Sequence, residues 1–192
     1  MQYNRLKGAW VWLCRIGHCR GFGIQSPWAY RFVRYVVNEH DAYYAYARLK
    51  EDCPADGYTT KMGCLLFRLA NYWQPETIAG LTDEPFAVWR AYVQAGCAKS
   101  KVIALSSQQQ SAGQRAIVVL TQADEKHYEG VASVADHQTL LVVMDIGSNK
   151  AARRLWKHIL ADDRARTAFD LYYCGVVFFD KQRFKQHYIV NF

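Results

Sequence analysis

Three short stretches hold residue types that do chemistry. In CRIGHC, Cys14 and His18 stand four apart, one helical turn, and Cys19 follows, so three zinc-type ligands can converge with His40 or Cys53 as a fourth. No second pair at ligand spacing accompanies them, and Cys64, Cys97 and Cys174 lie in or near apolar runs such as KMGCLLF and LYYCGVVFF. Buried, reduced thiols and no metal site are therefore the expectation. In VVMDIGSN an apolar run ends on Asp145, a lone strand-end carboxylate that caps the next helix or positions a reacting group. In QPETIAGLTDEPFAVW (74–89) a strand, a tight turn and a helix follow one another, the outline that holds anions on helix N–H groups. Its turn, LTDEPF, has no glycine and two acids, Asp83 and Glu84.

The elements that must position these residues follow from periodicity and punctuation. Spacing predicts a helix over 4–19 with Leu6, Trp10, Leu13, Cys14 and Gly17 on one face, then a loop over 20–25. Ser26 is a good N-cap with Pro27 at the first helical position, and Trp28, Phe32, Tyr35 and Val36 form the apolar face that follows. A further helix is predicted in 40–50, a turn in DCPADG, and a long helix in 59–73 with Leu65, Leu66, Leu69, Tyr72 and Trp73 on its buried side. Beyond Pro75 strands and helices alternate. Strands are predicted at TIAGL, KVIAL, AIVVL and TLLVVMDI; helices at 84–96, closed by Gly96, at 123–134 and at 149–162; SSQQQSAGQR is a loop. TAFDLYYCGVVFFD and HYIVNF read as two closing strands, near enough in sequence to pair antiparallel. The continuous apolar runs suit strands covered on both faces, and the alternation predicts a mainly parallel α/β sheet over 76–192, preceded by a helical region, 1–75.

The chain has 192 residues, 51% of them hydrophobic, which is enough for a real core and argues against disorder. Its net charge of +7 is uneven: residues 1–50 hold eight Lys and Arg against Glu39 and Asp41, a net +6. A basic, aromatic-rich segment suits RNA or an anionic membrane surface, or else a solvated helical face whose arginine stems cover aromatic neighbours. No run of 18 apolar residues exists, and GAWVWLC is short, is followed by Arg15 and lacks a small-residue cleavage site. A cytoplasmic protein is expected.

Several motifs, in order, resemble a known family. GFGIQSPWAYRFV is similar to an HG-x-HSPF-x-aromatic opening. KMGCLLFRLANYWQPETI resembles K-x-x-LLFRL-x-N-aromatic-x-P-x-TI. DLYYCGVVFFDKQRFKQHYIVNF resembles a DL-aromatic-x-x-G-[LV]-VFF hairpin, which implies an antiparallel C-terminal hairpin, with a closing K-x-HF-x-[LIV]-x-F. These are motifs of class I S-adenosylmethionine-dependent methyltransferase-like proteins common in Bacteroidetes. The likeness covers 15–80 and 139–192 well and the middle poorly. It implies a methyltransferase-like (Rossmann-like) doubly wound sheet, six parallel strands and one antiparallel, with S-adenosylmethionine over the carboxyl ends of the first strands.

The positions that the resemblance assigns to the cofactor depart from the family pattern. The family's first loop, approximately TILELG-T-S-x-G-x-S, places its strand-end acid on Gly80, its first glycine on Thr82 and its last on Phe86. Thr82 and Phe86 are expected to block the close backbone approach that glycine permits. Asp83 and Glu84 are expected to stabilise the helix start and to repel a ligand carboxylate. At the end of the second strand Ser106 replaces the ribose-binding acid, and at the fourth Thr121 and Gln122 replace acid and glycine. Only ten residues separate KVIAL from AIVVL, so about one strand and its helices appear deleted, and the fifth strand keeps a single acid, Asp145.

The resemblance thus implies a degenerate, non-catalytic methyltransferase-like protein acting in binding or assembly, with no cofactor. A homodimer is compatible with its apolar excess. An active methyltransferase with an atypical pocket, using Asp145 to position the acceptor, is the alternative. A basic module for RNA or an anionic membrane surface, built on residues 1–50, is the second.

Overall fold

A computed structural model describes residues 5–39, 41, 43–82, 86–105, 113–121 and 124–192, without the side chains of 5–7, 19 and 20. The N-terminal part is helical throughout: α1 (Arg5–Cys14), a 3-10 segment (Ile16–Gly21), α2 (Pro27–Phe32) running into a π turn (Val33–Val37), α3 (Tyr44–Asp52) and α4 (Gly57–Trp73). The rest alternates as β1 (Thr77–Ala79), α5 (Ala87–Gly96), β2 (Lys101–Ile103), β3 (Ala116–Leu120), α6 (Glu125–Val134), β4 (Thr139–Met144), α7 (Lys150–Ala161), β5 (Thr167–Asp170), β6 (Cys174–Phe178) and β7 (Gln186–Ile189).

Local chemistry sets most boundaries. Ser26 Oγ accepts from Ala29 N and Pro27 opens α2. Asp56 Oδ1 accepts from Thr59 N at 2.6 Å to start α4, and the Thr59 hydrogen bonds hold its carboxyl below the ordinary value. Helix α4 stops at Gln74, whose φ of 48° puts it in the left-handed region one residue before Pro75.

Three helical expectations are corrected. The first helix ends at Cys14 and tightens to 3-10 from Ile16, where Gly17, a poor helix former, follows the anchored Arg15. Past Phe32 the chain widens into a π turn closed by Asn38 N to Val33 O at 2.8 Å. The extra residue rotates the register, so Tyr35 is 61% exposed rather than on the apolar face. On α4, Leu65, Leu66 and Leu69 are buried as expected, whereas Tyr72 is largely exposed and Trp73 half-buried.

The sheet order is β2-β1-β3-β4-β6-β5-β7. Every pairing is parallel except those of β6, which runs antiparallel to both β4 and β5. The residue pattern alone reads 167–180 as one strand; the structure has there the antiparallel hairpin that the motif resemblance implies, β5–β6. Its turn holds Tyr172 at φ 69°, with Tyr172 N donating to Asp170 Oδ1 at 2.9 Å. The last strand does not pair antiparallel with its predecessor: β7 lies parallel to β5 at the sheet edge. The sheet is consequently not reduced in number. Among the described residues no strand lies outside β2, but β7 extends the opposite edge.

Strand residues alternate between two buried layers. Ile78, Ile117, Val119, Leu140, Val142, Phe169, Val176 and Phe178 face Phe32, Met62, Leu65, Leu69 and Val93 of α2, α4 and α5. Val118, Leu120, Leu141, Val143, Ala168 and Val177 face Tyr128, Leu155, Trp156 and Ile159 of α6 and α7. A smaller third cluster joins Leu49, Phe67 and Tyr92 outside α4 and α5. A fully buried Leu, Ile or Val in these layers stabilises by roughly 1.5–3 kcal/mol. Gly175 permits the second layer to close, since a β-carbon there would stand 2.3 Å from the Trp156 ring. Arg68 on α4 is buried and bonds the outgoing carbonyls of the π turn, with Nε to Val36 O at 2.6 Å and Nη2 to Val37 O at 3.0 Å. These are acceptors that a helical C-terminus leaves without intrahelical partners.

Candidate functional site

In an open doubly wound sheet, ligands bind at the carboxyl ends of the strands where the winding reverses. Here β1 connects outward to β2 and β3 connects the other way to β4, so the reversal lies between β1 and β3. A cavity of about 270 Å³ sits there, lined by Gly80, Thr82, Ala104, Leu105, Val119, Leu120, Thr121 and His127. The structure thus brings together three of the expected positions, Gly80, Thr82 and Thr121.

Gly80 decides what this cavity accepts. Its φ is +96°, its N–H donates to Ile103 O at 3.2 Å, and a β-carbon on it would stand 2.1 Å from the carbonyl oxygen of Val119. The ends of β1 and β3 are closed over one another by bare backbone. An acid at Gly80, the residue the family pattern calls for, is excluded by both the backbone angle and the collision. The sequence pointed to Thr82 and Phe86 as the residues that replace the family's glycines, and the structure places them differently. Thr82 lines the cavity. Phe86 turns away from it, stacking on Trp89 at 5.5 Å and packing against the first buried layer.

Helix α5 also begins later than expected, at Ala87, with Phe86 as an N-cap that makes no side-chain cap bond and no acid in the first turn. Asp83 and Glu84, like Ser106 and Gln122, lie outside the described residues. The described lining offers hydroxyls from Thr82 and Thr121 and the His127 imidazole, whose Nδ1 is 2.6 Å from Asp124 Oδ2. Asp124 caps α6 by accepting from Lys126 N, and that backbone bond leads the contacts that lower its pKa.

Asp145 is not part of that cavity. It ends β4 in a left-handed conformation (φ 57°), its N–H donates to Tyr173 O at 2.7 Å, and its Oδ1 accepts from the Tyr58 hydroxyl at 2.6 Å. Burial raises the Tyr58 pKa above its ordinary value, and the Asp145 carboxylate adds to the effect, so this hydroxyl stays protonated as the donor. The carboxylate is committed to binding α4 onto the sheet. Beside it Lys61 extends from α4 over the rings of Tyr173 (4.9 Å) and Phe192 (4.4 Å), and burial pulls its amine below the usual lysine range. Cys174 is fully buried, and burial, reinforced by the Asp170 charge, pushes its thiol up; it is no nucleophile.

A third tie completes this half of the rim. Arg15 pairs with Asp170 (Nη2 to Oδ1, 2.8 Å), donates to Asp170 O at 3.1 Å and Val190 O at 3.4 Å, and lies over the Tyr172 ring. A second cavity of about 260 Å³ opens between Arg15, Gly147, Arg153, Trp156 and Tyr172. Tyr58, Lys61 and Arg15 carried no signal in the sequence, because their partners stand 87 residues away for Tyr58 and 155 for Arg15. Among the described residues no group of three or more His, Cys, Asp or Glu stands where it could hold a metal ion; Cys14 and His18 are exposed, and the Cys19 side chain and His40 are not described.

Compared with protein-family models and with curated proteins, the chain matches none.

Proposed function

We propose that this chain is a methyltransferase-like scaffold whose cofactor site is degenerate, and that it acts in binding or assembly rather than catalysis. One antiparallel strand, β6, within an otherwise parallel sheet agrees with the architecture that the motif resemblance implies. The observation that carries the reading is Gly80. Its backbone closes over Val119 where a strand-end acid belongs, so the residues present do not fit S-adenosylmethionine. The cavity, about 270 Å³, also falls under the roughly 300–1,000 Å³ of ordinary ligand sites. Its described lining holds no carboxylate for the charge-assisted pair that ribose hydroxyls make in the resembled family.

Titration calorimetry with S-adenosylmethionine and S-adenosylhomocysteine tests this. The expected outcome is no binding heat; a micromolar isotherm overturns the reading. One observation favours a second reading, an atypical cofactor pocket: a cavity does persist at the winding reversal. A thermal shift with S-adenosylhomocysteine that vanishes in Thr82→Arg would establish it.

A further inference from the structure

Helix α1 is mounted inside out. Among the described side chains its half-buried positions are Gly8 and Val11, and Arg15 just past its end continues the same face, three and four residues apart. The far side carries Ala9, Trp10, Leu13 and Cys14, and Trp12 stands at the flank of the held face, one turn from Gly8; all five are exposed. Trp10 is 67% exposed, Trp12 51% and Leu13 56%, and further along the chain Ile16 (56%) and Phe22 (80%) are exposed as well. This orientation is held by specific bonds. Arg15 pairs with Asp170, and Asn191 donates from its backbone N to His18 O at 3.0 Å and from Nδ2 to Trp12 O at 3.1 Å. The body thus grips the helix by its least apolar side and presents the tryptophans outward. Large contiguous apolar surface on a folded chain marks an interaction site.

We propose that this face docks onto an anionic lipid bilayer, independently of the cofactor reading. Charge complementarity selects this occupant: residues 1–50 hold eight Lys and Arg against two acids, and of the eight only Arg15 and Arg48 are paired with acids elsewhere among the described residues. A second copy of the chain would bring two such segments together against their mutual repulsion. RNA would use aromatic faces for stacking but leave Leu13 and Ile16 in water. Indole rings beside aliphatic side chains, with cations nearby, suit the boundary between headgroups and acyl chains. The helix lies in the surface rather than crossing it. Its 10 residues rise about 15 Å, against a hydrocarbon core of about 30 Å.

The test is flotation of the full chain with vesicles of phosphatidylcholine alone and of phosphatidylcholine with phosphatidylglycerol, together with quenching of tryptophan fluorescence by brominated acyl chains. Flotation is expected only with phosphatidylglycerol, weakening at least tenfold between low and high salt. Brominated lipid is expected to quench the native chain and not Trp10→Ser/Trp12→Ser. Trp10→Ser/Trp12→Ser/Leu13→Ser is expected to lose at least tenfold in affinity, whereas Tyr44→Ser, 95% exposed on α3, keeps it. Absence of flotation, binding without quenching, or a sedimentation dimer that shields the same tryptophans without lipid overturns the proposal. Salt-dependent RNA retention without vesicle binding overturns it in favour of nucleic acid.

Discussion

The two halves of the carboxyl-end rim are built from different material. Between β1 and β3 the surface is backbone and small side chains: Gly80 against Val119 O, with Thr82, Ala104 and Thr121 around a small cavity. Across β4, β5 and β7 it is sewn together by side chains from the helical N-terminal region, Tyr58 to Asp145 and Arg15 to Asp170. A cavity opens in each half, with different linings. The described lining of the first holds no carboxylate. In the second, Arg15 and Asp170 are spent on one another. A carboxylate such as Asp145, which looks available in a sequence, is a fastening once a hydroxyl 2.6 Å away uses it.

Substitutions break this contrast in graded fashion. Gly80→Asp meets both an unfavourable φ and a backbone collision, and is expected to destabilise by about 3 kcal/mol or more. Gly23→Asp, at nearly the same angle (φ 82°) with nothing within 4 Å, should lose only about 1 kcal/mol. Equal midpoints in urea for the two variants would show that β1 and β3 are not closed by backbone. On the sewn half, Arg15→Met is expected to lose about 2 kcal/mol, since a partly buried charge and its hydrogen bonds go together. The same change should free α1, seen as faster hydrogen exchange over residues 5–21. Tyr58→Phe should lose about 1 kcal/mol, and a cycle with Asp145→Asn should show the two to be coupled.

The smallest effect lies on the opposite face of the sheet. Asp162 is partly buried, which raises its pKa, but hydrogen bonds from Arg164 and Tyr128 win and hold it at about 2 against an ordinary 3.8. Because the folded value is the lower one, this stabilisation is present above about pH 4 and is lost as pH falls through 2. It is worth under about 1 kcal/mol after solvent screening. Asp162→Asn should remove that slope from the acid branch of a stability-against-pH curve.

Continuous apolar runs announced β3 and β4, and the periodicity of NKAARRLWKHILAD announced α7, because burial on both faces or along one stripe leaves a local pattern. Ser26–Pro27 announced α2 for the same reason: a cap acts within three residues. Helix α1 shows where this stops. Its spacing puts Trp10, Leu13 and Cys14 on one face, yet α7 buries Leu155, Trp156 and Ile159 while α1 turns that apolar face outward. Periodicity records which residues share a face, and contacts elsewhere in the chain decide which way the face looks. The parallel placement of β7 was hidden similarly, since which strand it pairs with, and in which direction, is not a property of its own residues.

What the sequence determined alone is the α/β class, the order of most elements and the absence of an acid at position 80, all properties of neighbouring residues. The tertiary structure decided the rest. It closed Gly80 over the Val119 carbonyl, gave Asp145 to Tyr58, and held the tryptophans of α1 outward through Arg15. Each of these depends on groups far apart along the chain meeting within a few ångströms, where hydrogen bonds and steric exclusion act.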